Sequence, residues 1–73
     1  MRKLSDLSVN ESGIIKGFDN DDLSLKLIEM GCIPGTEITI QMIAPFGDPI
    51  AINVADYCLS IRKKDAQHVL IED

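Results

Sequence analysis

The stretch Thr36-Glu37-Ile38-Thr39-Ile40-Gln41-Met42-Ile43-Ala44, Pro45-Phe46-Gly47-Asp48-Pro49, Ile50-Ala51-Ile52-Asn53-Val54, Ala55-Asp56, Tyr57-Cys58-Leu59-Ser60-Ile61 decides the fold. In its first run Ile38, Ile40 and Met42 fall on one face and Glu37, Thr39 and Gln41 on the other, the alternation of a half-buried strand. Pro45 to Pro49 is dense in turn formers. Ile50, Ile52 and Val54 alternate again, Ala55-Asp56 is a tight turn, and Tyr57, Leu59 and Ile61 make another strand. Strands joined by such short loops predict an antiparallel meander.

Working outward towards the N-terminus, Pro34-Gly35 is a turn and Gly31 sits where a left-handed helix C-cap belongs. Leu23, Leu27 and Met30 precede it at i, i+4 and i+7, one face of an α-helix. Asp19-Asn20-Asp21-Asp22 supplies side chains that cap its start and negative charge that suits the helix dipole. A helix this short is marginal alone, so it must dock on a sheet. Ile14-Ile15-Lys16-Gly17-Phe18 reads as a first strand, preceded by a turn at Asn10-Glu11-Ser12-Gly13 and by Leu4 and Leu7 as an anchor on the core. Towards the C-terminus, Lys63-Lys64-Asp65-Ala66 reads as one helical or 3₁₀ turn, and Val69 and Ile71 place a last strand on the core.

The class is therefore mainly β, a small five-stranded barrel. The helix inserted after the first strand and the helical turn before the last favour an SH3-like arrangement. An oligonucleotide-binding barrel carries its helix between the third and fourth strands. Eleven Ile against seven Leu and three Val agree with a sheet core.

At 73 residues the chain is one domain, 1–73, with room for a single small core and no deep multi-substrate pocket. Seven basic and twelve acidic residues give a net charge of −5, which argues against nucleic acid and against a purely electrostatic hold on anionic lipid. Arg62-Lys63-Lys64 is the tightest cation cluster. Ser5, Asp6, Ser8 and Asn10 interrupt any signal-like apolar run behind Arg2 and Lys3, and no stretch approaches the roughly 20 apolar residues of a membrane helix. The expectation is a complete, soluble, cytoplasmic chain with no direct membrane insertion. Cys32 and Cys58 then read as free, semi-buried thiols. Exposed sheet edges leave weak homo-oligomerisation open.

No catalytic constellation emerges, which argues against an enzyme. The one histidine, His68, reads as an exposed strand-edge residue, and the chain holds neither G-x-S-x-G nor a phosphate-binding glycine loop. Asp19, Asp21 and Asp22 resemble the start of a calcium loop, yet counting from Asp19 the sixth position is Ser24 and the twelfth Met30, where Gly and Glu are required. Two thiols and one imidazole fall short of a four-ligand zinc site, so no metal ligand or cofactor is assigned. Phe46, at a loop tip beside Gly47, either folds back on the core or contacts another protein.

Three runs in order, Lys26-Leu27-Ile28-Glu29-Met30-Gly31-Cys32-Ile33-Pro34-Gly35-Thr36, Pro45-Phe46-Gly47-Asp48-Pro49-Ile50 and Leu59-Ser60-Ile61-Arg62-Lys63-Lys64-Asp65-Ala66, together with Leu4-x-x-Leu7 and Gly13, resemble the FeoA family of the bacterial ferrous-iron uptake system. The same domain resembles the C-terminal SH3-like domain of iron-dependent repressors. Lys26 stands where the family usually has Arg, and Asn10 and Asp56 where Gly is common. The resemblance implies a non-enzymatic accessory protein that binds the cytoplasmic, GTP-binding region of the FeoB membrane transporter and supports or regulates Fe²⁺ uptake. The surfaces it suggests are the hairpin tip, Phe46, Gly47, Asp48 and Pro49, and the exposed helix side, Lys26 and Glu29. The rival implication is direct iron binding or chaperoning through Cys32, Cys58, His68 and the acidic loop, or a repressor-like regulatory domain.

Overall fold

The computed structural model describes residues 1–54 and 56–72. The strands are β1 (Ser12–Phe18), β2 (Glu37–Ile43), β3 (Ile50–Val54), β4 (Tyr57–Ile61) and β5 (Val69–Ile71); helix α1 (Asp21–Met30) follows β1, and α2 (Lys63–Ala66) precedes β5. All neighbouring strands run antiparallel, in one sheet of order β4-β3-β2-β1-β5. The meander, the inserted helix and the helical turn before the last strand all stand as the pattern predicts, in a mainly β fold. The Ala55 half of the expected Ala55-Asp56 turn lies outside the described residues.

The sheet curls because its strands are interrupted. β1 pairs with β2 through Ser12, Gly13 and Ile14, then with β5 through Ile15, Gly17 and Phe18, with a register break between Ile15 and Gly17. β2 breaks register between Ile40 and Met42. An extra residue at such a point bends the strand and raises its twist, which lets one sheet wrap a core. Among the described residues fifteen apolar ones are buried, including Leu4, Ile15, Leu27, Cys32, Ile38, Ile40, Ile52, Val69 and Ile71 with no exposed surface.

These breaks also correct the strand reading. Met42, expected beside Ile38 and Ile40 on the buried face, is 56% exposed, and Ile43 packs against the core instead. The extra residue reverses the parity of everything after it. β1 begins at Ser12 rather than Ile14, so Gly13 belongs to the strand and not to a turn. It pairs with Ile38, and a Cβ there would lie 2.6 Å from Ile71 Cγ2, so the close approach of β5 requires glycine. The turn ends earlier, at Asn10, whose φ of 72° is the left-handed conformation that asparagine tolerates.

Leu4 and Leu7 anchor the N-terminal segment as expected. Ile71 N–H donates to Arg2 O at 2.9 Å and Lys3 bridges Leu70, so this segment covers the outer edge of β5. Helix α1 starts on Asn20, whose Oδ1 accepts from Asp22 N–H at 2.9 Å and Leu23 N–H at 3.2 Å. Asp21 and Asp22 occupy the first turn, and Leu27 is buried with Leu23 and Met30 packed beside it.

Gly31 closes the helix at φ 114°, and Cys32 N–H returns to Leu27 O at 2.9 Å. Tyr57 lies across this cap: its hydroxyl donates to Met30 O at 3.4 Å, and a Cβ on residue 31 would collide with that hydroxyl. Gly31→Ala therefore combines left-handed strain with a steric clash, and the expected loss of unfolding free energy in urea is about 2–4 kcal/mol. Adding Tyr57→Ala removes the clash and recovers part of that loss; full recovery would show that the backbone conformation costs nothing.

Candidate functional site

The candidate surface is built on α2, a single helical turn. Asp48, at the β2–β3 loop, caps it: Lys63 N–H donates to Asp48 Oδ1 at 3.0 Å. On its other side Asp65 is 4% exposed, and its Oδ2 meets Lys26 Nζ of α1 at 3.6 Å. Two regions named from sequence, the hairpin tip and the helix side, are thus tied to one element between them. A carboxylate taken out of water is costly unless a cation or donors meet it, so Lys26 has a structural partner and is not a free surface charge. Its side chain keeps 59% of its exposure, enough to present its stem to a partner. Glu29 is exposed on the same helix.

The hairpin tip points outward. Phe46 is 99% exposed, which decides against packing on the core. Gly47, at φ 87°, turns the loop, with Gly47 N–H donating to Ala44 O at 2.7 Å and Ala44 N–H to Pro49 O at 3.1 Å. Pro49 follows Asp48 through a cis peptide bond and is exposed, as is Asp48.

The groups weighed for metal or acid–base chemistry are dispersed. Cys32 is fully buried, and burial pushes its thiol pKa up. Cys58 was expected to be semi-buried, but it is exposed on the outer face of β4, opposite Asn53, and donates to Gln41 Oε1 at 2.8 Å. His68 is half-buried, not fully exposed, with Nδ1 2.6 Å from Asp19 Oδ1. Asp19 also meets Lys3 Nζ at 3.8 Å, so this cluster joins the N-terminal segment, the end of β1 and the start of β5. The acids after β1 therefore divide between capping and cross-strand pairing. Among the described residues no three His, Cys, Asp or Glu side chains converge as a metal site, and no pocket opens in the surface.

Among the contacts that escaped sequence reasoning are the Asp65–Lys26 pair, the Asp48 cap of α2, and Tyr57 over Gly31. Each joins residues far apart in the chain, and only covariation between positions could have signalled them.

The fold and this surface define a class: a small SH3-like β-barrel in which Asp19, His68, Asp48 and Asp65 hold its own elements together, with an aromatic loop tip left outside. The chain belongs to the FeoA family, whose domain model matches residues 2–73. It is 31% identical over 71 residues to a fusion of Fe(2+) transport protein A with the Fe(2+) transporter FeoB from Porphyromonas gingivalis, covering 96% of this chain and 8% of the fusion. Among solved structures, a FeoA-like protein from Clostridium acetobutylicum superposes with a TM-score of 0.87 at 36% identity, covering 99% of this chain and 88% of that one. A zinc complex of FeoA from Stenotrophomonas maltophilia, described as a prokaryotic SH3 domain protein, gives a TM-score of 0.82 at 23% identity, with 99% and 91% covered, and shares the fold. So does a manganese-dependent transcriptional repressor, at a TM-score of 0.87 and 11% identity, with 97% of this chain and 40% of that one covered.

Two expectations test the geometry. Lys26→Ala leaves the Asp65 carboxylate without its cation and costs about 1 kcal/mol in urea unfolding, while Lys26→Arg keeps the pair and the stability. An unchanged midpoint for Lys26→Ala would show that other donors satisfy Asp65. Iodoacetamide on the native protein modifies Cys58 and spares Cys32, as read by mass spectrometry, and denaturation exposes both; equal native labelling would place Cys32 outside the core.

Proposed function

We propose that this chain is a non-enzymatic accessory protein of ferrous iron transport that works in the cytoplasm, docking on the cytoplasmic part of a FeoB-type transporter to support or regulate Fe²⁺ uptake. The observation that carries the reading is the fused relative, in which a domain 31% identical to this chain shares one polypeptide with the transporter. Fusion holds two modules at high effective concentration, and that arrangement supports a working contact between the corresponding free proteins. No described helix is long and apolar enough to cross a membrane.

The docking surface in this reading is the loop tip, Phe46, Gly47, Asp48 and Pro49, with Lys26 and Glu29 on α1. Both parts contact α2, where Lys63 N–H donates to Asp48 and Asp65 pairs with Lys26, and that shared element supports the reading. Preorganised surface of this kind loses little conformational entropy on binding. The partner supplies the GTP and iron chemistry, and this chain supplies contact.

The test is calorimetry or pull-down with the cognate transporter, at low and at high salt. The expected outcome is saturable binding with one copy of this chain per transporter. Absence of binding at both salt concentrations overturns the reading.

A further inference from the structure

At the end of the molecule where the β2–β3 loop meets α2, two features stand together that the fold does not need. One is Phe46. Its ring is 99% exposed, on a loop held by the Ala44, Gly47 and Pro49 backbone bonds and by the Asp48 cap. A phenyl ring left in water forgoes about 1.5–3 kcal/mol of burial. The other is charge. In a chain of net charge −5, Arg2, Lys3 and Lys26 are ion-paired with Glu11, Asp19 and Asp65. Arg62, Lys63 and Lys64 are exposed, and none has an ion pair among the described residues. Lys63 Nζ lies 3.8 Å from where a Cβ on Gly47 would sit, so Lys63 borders the Phe46 loop, with Arg62 and Lys64 beside it in sequence. Asp65 is matched by Lys26, so the local charge is three cations against the Asp48 carboxylate, and screening over about 8–10 Å means that an approaching surface meets this positive balance rather than the distant acids.

We infer that Phe46 and the Arg62-Lys63-Lys64 rim are an anchor for an apolar pocket bordered by carboxylates on a protein partner. The inference rests on the proposed docking and names the chemistry of the transporter surface that receives it. A rigid aromatic ring seated in a desolvated pocket supplies most of the affinity, and the rim charges steer encounter and fix orientation. A protein pocket fits better than a bilayer. The loop offers one ring, flanked by the Asp48 carboxylate, whereas lipid insertion needs a wider apolar face.

The experiment titrates the full chain onto the full-length transporter in phosphatidylcholine nanodiscs. Phe46→Ala is expected to weaken Kd about tenfold or more at every salt concentration, with thermal unfolding unchanged because the ring touches no core. Lys63→Glu with Lys64→Glu is expected to weaken it about tenfold at low salt, with the deficit shrinking at high salt. Exposed Val9, on the N-terminal segment, serves as the control, and Val9→Ala is expected to stay within about twofold. Wild-type binding with Phe46→Ala equal to it overturns the inference and leaves the docking standing, as does equal loss in Val9→Ala. No binding by the wild type overturns both. Binding that appears only on discs containing phosphatidylglycerol, and equally on empty discs, overturns the protein pocket in favour of lipid.

Discussion

A four-residue helix cannot stand by itself, and the candidate surface depends on how α2 is held. Asp48 accepts the Lys63 amide from one side, Asp65 meets Lys26 from the other, and Ala66 is buried beneath. Nucleating one turn of helix fixes several dihedrals for one or two backbone bonds, so external contacts must supply the stability. Here they come from the β2–β3 loop, from Lys26 of α1 and from the N-terminal turn at Leu4–Asp6 packed against α2. The element that leads the chain from β4 to β5 is therefore also the brace of the loop that carries Phe46.

The barrel beneath α2 depends on two register breaks. The break in β1, between Ile15 and Gly17, bends the strand just past the point where pairing with β2 gives way to pairing with β5. Without the break in β2, Met42 would turn inward and Ile43 outward. The apolar faces then close over a core that includes Leu27 of α1 and the N-terminal leucines. Gly13 and Gly31 mark the places where packing is too close for a side chain, one under β5 and one under Tyr57. What remains for function is surface, because the ionisable groups that approach one another are engaged in tying segments together: Arg2 with Glu11, His68 and Lys3 with Asp19, Lys26 with Asp65.

Much of this was legible in the sequence because it is local. Alternation gave the strands from Ile38 to Ile61, the i, i+4, i+7 spacing of Leu23, Leu27 and Met30 gave α1, and Gly31 and Pro34 gave its end. The bulge at Gln41 was not legible, since one inserted residue leaves the pattern looking continuous while reversing its sense, and Met42 was misplaced as a result. Ser12 and Gly13 look like turn residues and become strand through pairing with Thr39 and Ile38. For the candidate surface, composition marked Phe46 as unusual but left its direction open. Lys26 is exposed on α1 as its place in the helix predicts, whereas its pairing with Asp65 joins distant elements and required the fold. The Arg62-Lys63-Lys64 cluster was visible as charge, while its place beside the Phe46 loop required the fold.

Hydrogen–deuterium exchange of this chain, free and bound to the full-length transporter, tests the account most directly. Slowed exchange confined to the non-proline amides of residues 44–49, to 62–66 and to the α1 turn of Lys26 and Glu29, with the outer edge of β4 and the N-terminal segment unchanged, is the predicted footprint. Protection that falls instead on the β4 edge or on residues 2–11, with the loop and α2 exchanging as in the free protein, would contradict it.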